Sequence, residues 1–328
     1  MRCAVFSAKP YDIEFLSDAA KKCQHELEYF EVRLSPTSAK LAEGFEAVCA
    51  FVNDDLQRST LQSLQRVGVK LVALRCAGFN QLDLTAAREL GICVARVPAY
   101  SPHAVAEHTL ALILSLNRKI HKAYQRVREN NFGLDGLMGF DLHGRTVGVI
   151  GTGTIGQNVV RILHGFGCNV LMYDVRQSDN CLALGCYCDL DRLFGESDIV
   201  TLHCPLNEAT RYLINHDSIQ KMKPGVMLVN TSRGGLVDTA AVINGLKTKQ
   251  IGSLALDVYE EEGALFFEDL SQVIINDDVF SRLLTFPNVL ITSHQAFFTE
   301  QAMHEIARVT MQSLTEFEQN QSLSNAIC

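Results

Sequence analysis

The sequence predicts an α/β protein of two parallel-sheet domains with a cleft between them, the chain crossing from one to the other twice. Three observations predict it. Short runs of branched apolar residues alternate with stretches of helical period along nearly the whole chain, the pattern of parallel strands joined by crossover helices. One such unit, residues 145–174, carries glycines at fixed spacing between strand and helix. Long helical stretches opening at Ser101 and at Thr299 stand where the chain would leave one sheet and return to it. At 328 residues the chain is long enough to build two cores.

Composition narrows the function classes. Hydrophobic residues at 47 % and charged residues at 20 % describe an ordinary globular protein. A net charge of −8, with Lys and Arg scattered, disfavours a nucleic-acid partner, and none is expected. The longest apolar run, 110–116, is too short for a membrane span, and the N-terminal apolar segment is too short for a secretion signal. The 11 cysteines are odd in number and sit mostly in apolar strands and helices, as Cys49, Cys76, Cys168 and Cys204 do. That is the usage of reduced thiols, so a cytoplasmic location is expected. Cys181, Cys186 and Cys188 lie close together but form no CxxC pair, and no metal is expected.

Taken in order, residues 3–7, 27–32, 47–52, 71–75 and 92–98 read as strands, with helices at 13–23, 59–65 and 84–90. Between the fourth strand and its helix lies RCAGFNQLD (75–83). Ala77 and Gly78 there stand at a strand's C-terminal end, where open parallel sheets bind ligands, a plain βα turn being the alternative. Ser101 and Pro102 then open a helix whose apolar period continues to about Glu129. Residues 198–205, 225–231, 251–259 and 288–294 are further strands, separated by helices at 189–194, 218–222 and 239–247. The last helix, capped by Thr299, is expected to pack back on the first domain. The domains are therefore read as 1–100 with 299–328, and 101–298.

Residues 146–150 form a buried strand that runs into Gly151-Thr-Gly153-Thr154-Ile155-Gly156, then a helix and a second strand ending on Asp174. The spacing is that of a Rossmann-like dinucleotide site. Gly151 permits the tight turn, Gly153 lets backbone approach a pyrophosphate, and Gly156 lets helix and strand pack closely. The helix N-terminus offers free N–H groups to phosphate. Asp174 can accept hydrogen bonds from ribose hydroxyls and would repel the 2′-phosphate of NADP, so NAD is the expected cofactor; Arg176 keeps NADP open.

Three reactive side chains follow three apolar strands. Arg233 comes after GVMLVNTS, His294 closes NVLITS, and one of Glu260, Glu261 and Glu262 follows SLALDVY, the spacing not saying which. A ketone accepting a hydride needs a proton donor active near neutrality, which His supplies. A neighbouring carboxylate would fix which ring nitrogen faces the substrate, and an Arg can hold a carboxylate with two parallel hydrogen bonds. Each group alone has a strong alternative as a loop or strand-end residue. Asp257 and His203 read as cofactor or strand-end supports.

GTGTIG, HCPL, NTSRGGLVD, LDVYEEE and TSHQAF, in this order and spacing, resemble the D-isomer-specific 2-hydroxyacid dehydrogenases over essentially the whole chain. FVNDD, LRCAGFNQLDL, ARVPAYSPHAVAEH and FFEDL are most similar to that family's bacterial fermentative D-lactate branch. The resemblance implies an NADH-dependent reduction of pyruvate, with Arg233, Glu262 and His294 as catalytic residues. It implies cofactor contacts from Thr154, Ile155, Asp174, Cys204, Pro205, Thr210, Thr231, Ser232 and Asp257, and a substrate-carboxylate loop at Ala77 and Gly78. Two departures from the common pattern, Gly263 to Phe267 after the glutamate and Gln295 to Phe298 after the histidine, match the lactate branch and favour a small apolar substrate side chain. Tyr100 and Phe297 are candidate walls for it, with ordinary packing as the alternative. A small 2-keto acid is thus the expected partner, in a homodimer or homotetramer. The rivals are the same chemistry on another 2-keto acid and an NAD-sensing binding protein.

Overall fold

The computed structural model describes the backbone of residues 1–328 and every side chain except that of Ala264. The chain divides into two compact units, Met1–Ser101 with Phe298–Cys328, and Pro102–Phe297. Among the described residues no helix is long and apolar enough to cross a membrane.

The first unit holds strands β1 (Arg2–Val5), β2 (Glu26–Tyr29), β3 (Ala47–Ala50), β4 (Leu71–Leu74) and β5 (Cys93–Arg96). They pair in parallel in the order β2-β1-β3-β4-β5. Helices α1 (Pro10–Cys23), α2 (Arg58–Arg66) and α3 (Leu84–Glu89) make the crossovers. Because side chains alternate across a strand, each face carries its own core. Ala4, Val48 and Val72 pack with Leu61 and Leu64 of α2 on one face. On the other, Cys3, Cys49 and Leu71 pack with Leu16 of α1 and with Met311 and Leu314 of the last helix.

At the end of β4 the guanidinium of Arg75 is enclosed. Its Nε donates to Asp12 Oδ1 at 3.1 Å and an Nη to the Ser7 carbonyl at 2.9 Å, and it lies over the Phe51 ring. Burial alone would favour loss of its proton, but the charge of Asp12, with Cys49 and Asp54 beyond it, holds Arg75 firmly cationic. This ion pair anchors the start of the loop that carries Ala77 and Gly78.

The second unit holds β6 (Thr146–Ile150), β7 (Asn169–Tyr173), β8 (Cys186–Tyr187), β9 (Ile199–Leu202), β10 (Val226–Asn230), β11 (Ile251–Leu256) and β12 (Val289–Ile291). Its helices are α4 (Pro102–Arg118), α5 (Ile120–Arg128), α6 (Thr154–Gly165), α7 (Leu190–Glu196), α8 (His216–Lys221), α9 (Thr239–Thr248) and α10 (Asp278–Leu284); α11 (Glu300–Glu318) belongs to the first unit. The sheet order is β12-β11-β10-β9-β6-β7-β8, all parallel, with the strand order reversing between β6 and β9. Val147 and Val149 face α4 and α6, with Leu110, Ile113 and Val160 against them. Ile150, Val200, Leu202 and Leu228 face the other way onto Leu193 and Phe194.

The single long helix expected from Ser101 to about Glu129 is two helices. Lys119 adopts a left-handed conformation, φ 52°, and ends α4. The reason is burial. The apolar residues of α4 enter the core, whereas α5 has no buried residue and leaves Ile120, Tyr124 and Val127 more than half exposed. Strand β8 and helix α10, absent from the sequence reading, complete the unit.

Removing one partner of the Arg75–Asp12 pair leaves an uncompensated buried charge, a loss on the order of 3–5 kcal/mol. Asp12→Ala is expected to lower the urea midpoint of the first unit by a corresponding amount. The double variant Asp12→Leu, Arg75→Met should lose distinctly less, and equal losses would show that the pair does not act through its charge.

Candidate active site

The site is built at the C-terminal ends of the second unit's strands, where a parallel sheet collects the exits of all of them. After β6 the chain turns at Gly151, φ +97°, so close to the β9 exit that a Cβ there would lie 2.5 Å from the Cys204 nitrogen. A Cβ on Gly156 would lie 1.9 Å from the Gly151 carbonyl oxygen, so α6 starts directly against the turn. A Cβ on Gly153 would meet no protein atom. Gly153 caps α6 with no side-chain bond, leaving Thr154 and Ile155 in an unobstructed first turn. This is the cradle a pyrophosphate needs, and the fingerprint residues fit a dinucleotide. At the end of β7, Asp174 accepts from the Thr152 amide at 2.6 Å and the Arg176 amide at 3.0 Å.

On the β9 side, Cys204 is buried, and burial pushes its thiol up to about 11, so it is a neutral wall. Its carbonyl accepts from Ser232 Oγ at 2.8 Å, and the Pro205 carbonyl accepts from Thr210 Oγ1 at 2.6 Å. Thr231 is buried with its hydroxyl 2.8 Å from that of Thr109 on α4. The residues expected around the nicotinamide thus form one hydrogen-bonded rim.

Arg233 stands three residues past β10. Asn230 shapes its loop, donating from its amide group to the Arg233 carbonyl at 2.9 Å and accepting from the Ser232 amide at 3.0 Å. One Nη of Arg233 donates to the Ser232 carbonyl at 2.7 Å, which orients the fork while leaving its other donors for an anion. A Cβ on Gly234 would lie 2.1 Å from the Tyr259 carbonyl carbon, so the arginine loop rests on the loop that follows β11.

That loop resolves the three glutamates by geometry. Glu260 accepts from Tyr212 Oη at 3.0 Å, and Glu261 is exposed. Glu262 Oε1 lies 2.8 Å from His294 Nδ1, and Glu262 Oε2 accepts from the Tyr259 amide at 3.0 Å. A carboxylate on Nδ1 leaves Nε2 as the working nitrogen of the ring. Phe267 packs beside the imidazole, ring centroids 5.8 Å apart.

His294 itself sits at φ 54°, a conformation that costs a non-glycine residue on the order of 1–3 kcal/mol. Asp257 holds it there. Its carbonyl accepts from the His294 amide at 2.7 Å, while its carboxylate accepts from Thr292 Oγ1 at 2.5 Å and from the amides of Gln295 and Ala296, each at 2.9 Å. His108 of α4 brings Nε2 to 3.3 Å from the same carboxylate. Burial alone would raise the Asp257 pKa, but His108, Thr292 and the Ala296 amide together hold it below the usual carboxylate range. Both oxygens of Asp257 are engaged within the protein, so it acts as the anchor of the histidine loop.

Sequence reasoning missed His108, Thr292 and Phe267. His108 closes the stretch ARVPAYSPHAVAEH, but it is remote in sequence from Asp257 and nothing singled it out. Phe267 could have been found among the departures after the glutamate. In the first unit, the Ala77 carbonyl accepts from Arg96 Nη1 at 2.6 Å and the Gly78 carbonyl from Cys76 Sγ at 3.2 Å, which fixes that loop. Tyr100 is half-buried in the first unit and Phe297 buried in the second.

His203, beside Gly156, has Nε2 2.9 Å from Thr201 Oγ1 and an enclosed Nδ1 without a hydrogen-bond partner. Burial pushes its pKa down to about 3. Above pH ~6.5 the ring is neutral whether folded or unfolded; below that, the unfolded chain takes up a proton that the native state refuses. Stability attributable to His203 is therefore full near neutrality and falls as pH drops from about 6.5 toward 3. Urea midpoints at pH 7 and pH 5 should differ less for His203→Gln than for the parent, and an equal drop in both would refute the assignment.

Comparison with known proteins gives the family. Residues 110–296 match the family described as D-isomer specific 2-hydroxyacid dehydrogenase, NAD binding domain. The chain is 52 % identical to a 2-hydroxyacid dehydrogenase homolog of Haemophilus influenzae, covering 100 % of this chain and 99 % of that protein. It is 51 % identical to the D-lactate dehydrogenase of Escherichia coli, covering all of both chains. A solved structure from work identifying the pyruvate reductase of Chlamydomonas reinhardtii superposes with a TM-score of 0.94, at 46 % identity over 99 % of this chain and 98 % of that one. The chain belongs to the D-isomer specific 2-hydroxyacid dehydrogenases, NAD-dependent enzymes.

Proposed function

We propose that this enzyme reduces pyruvate to D-lactate with NADH, reversibly. The observation that carries the reading is the 2.8 Å pair of Glu262 and His294, on the exits of β11 and β12, with Arg233 following the adjoining strand β10. The names of the relatives from E. coli and C. reinhardtii, a D-lactate dehydrogenase and a pyruvate reductase, support the choice of substrate. When bound, the nicotinamide supplies the hydride that reduces the keto carbon. His294 gives its Nε2 proton to the oxygen as negative charge develops there, and Glu262 stabilises the ring and fixes its orientation. Arg233 grips the substrate carboxylate and polarises the carbonyl. The Ala77 and Gly78 amides share that carboxylate, Tyr100 and Phe297 bound the methyl group, and Asp257 keeps the histidine loop in place. On this reading Met1–Ser101 with Phe298–Cys328 is the substrate-binding unit and Pro102–Phe297 the cofactor-binding one. The D configuration is carried over from the family.

The same reading makes the enzyme a cytoplasmic homo-oligomer. Eleven free cysteines favour a reducing compartment. The exposed apolar residues of α5, with Phe132, Leu134 and Met138 after it, favour a partner copy.

The direct test is a steady-state assay with NADH and a panel of small 2-keto acids, the product resolved by chirality. Pyruvate should be preferred, with weaker activity on neighbours because one methylene in an apolar pocket is worth only ~1–3 kcal/mol. Absence of NADH oxidation with every 2-keto acid would leave a binding protein instead.

His294→Ala should lower kcat by ~10²–10⁴ while NADH affinity is retained. Turnover near that of the parent would remove His294 from the proton-donor role. Arg233→Lys should raise the KM for pyruvate and lower kcat with NADH binding intact, since an ammonium cannot reproduce the two-pronged grip; loss of NADH binding in step would make Arg233 a cofactor residue.

A further inference from the structure

The carboxylate of Asp174 is held by more than its neighbouring turn. Tyr187, on the edge strand β8, donates from Oη to Thr152 Oγ1 at 2.8 Å, and Thr152 Oγ1 in turn donates to Asp174 Oδ2 at 3.2 Å. The Ser178 amide donates to Tyr187 Oη at 2.9 Å. These bonds have one polarity. With the Ser178 N–H pointing at the phenol oxygen, the phenol proton is committed to Thr152, and the threonine proton is committed to the carboxylate. Adding the Thr152 and Arg176 amides, Asp174 Oδ2 accepts two donors and Oδ1 accepts one.

A carboxylate has about four acceptor positions, so one on Oδ1 is left open. We propose that Tyr187 is a positioning residue for cofactor choice: through Thr152 it turns the open position of Asp174 toward the adenosine ribose and so sets the preference for NAD over NADP. The proposal rests on the reading of Asp174 as the ribose acceptor. A carboxylate free to rotate could swing away from a 2′-phosphate and relieve the repulsion. One held on both oxygens cannot, and discrimination follows. The position of Tyr187 is set independently of the cofactor, because β8 pairs it with Met172 of β7, and the Cys188 amide donates to the Met172 carbonyl at 2.9 Å.

The test is calorimetric binding of NADH and NADPH to the substrate-free protein, which does not depend on turnover. Tyr187→Phe should weaken NADH by roughly threefold to tenfold, the size of one lost net hydrogen bond, with NADPH unchanged or tighter. Thr152→Val, which keeps the side chain's shape and the backbone amide, should do the same, and Thr152→Ser should restore the parent ratio. Equal weakening of both cofactors by Tyr187→Phe, or an unchanged ratio, would overturn the proposal; should Tyr187→Phe fail to fold, the Val and Ser pair at Thr152 decides it by the same criteria. Asp174→Ala separates the two levels. If it leaves the ratio unchanged, the ribose reading itself is wrong. If it collapses the ratio while Tyr187→Phe does not, only the relay fails.

Discussion

The buried carboxylate of Asp257 accepts from a hydroxyl and two backbone amides, with the imidazole of His108 3.3 Å away, while its own carbonyl takes the amide of His294. Strand β12 has only three residues and pairs on one side alone, so the sheet by itself gives the chain beyond it little direction. The direction comes from electrostatics. An enclosed anion gathers every donor within reach, and a loop that satisfies it can adopt few conformations. One of those puts His294 in the left-handed region with Nδ1 on Glu262. The strain at one backbone position is outweighed by charge-assisted bonds worth roughly 1.5–3 kcal/mol each. The imidazole of His294 is thereby held by its backbone and by one ring nitrogen, with the Phe267 ring tilted beside it.

The same logic, a buried or half-buried carboxylate organising the chain around it, recurs elsewhere in both units. Asp12 holds Arg75 at the root of the Ala77 loop, and Asp54 accepts from Ser7 Oγ and the amides of Leu34 and Phe51. Asp174 is met by the turn after β6 and by the edge strand. In each case the strand supplies the position and the carboxylate supplies the orientation. Side chains at strand exits are otherwise free to rotate, and catalysis by positioning needs them not to be.

A single glutamate illustrates how the parts depend on one another. Tyr259 is buried, bonded through Oη to Asp277 and through its amide to Glu262. The arginine loop rests on the Tyr259 peptide through Gly234. Movement of the Tyr259 backbone would therefore disturb both the carboxylate of Glu262 and the loop that carries Arg233. This coupling gives the neighbouring exits of β10 and β11 a shared mechanical role.

Much of this was legible in the residues. Strand and helix order followed from apolar periodicity, because burial on both faces of a parallel sheet leaves continuous branched runs. Gly151 and Gly156 of the fingerprint announced the turn, since contacts that leave no space for a Cβ admit no other residue. What periodicity could not show was where an apolar helical face stops being buried, and so α4 and α5 read as one helix. Nor could it separate Glu260, Glu261 and Glu262, which differ in sequence by single steps but in space by whole directions. The link between His108 and Asp257, and that between Tyr187 and Asp174, are properties of distance between remote segments. The order of residues determined which strands exist and which chemical groups stand at their ends. Only the folded chain decided which of those groups meet, because hydrogen bonds and ion pairs act over a few ångströms in space and carry no trace of themselves along the sequence.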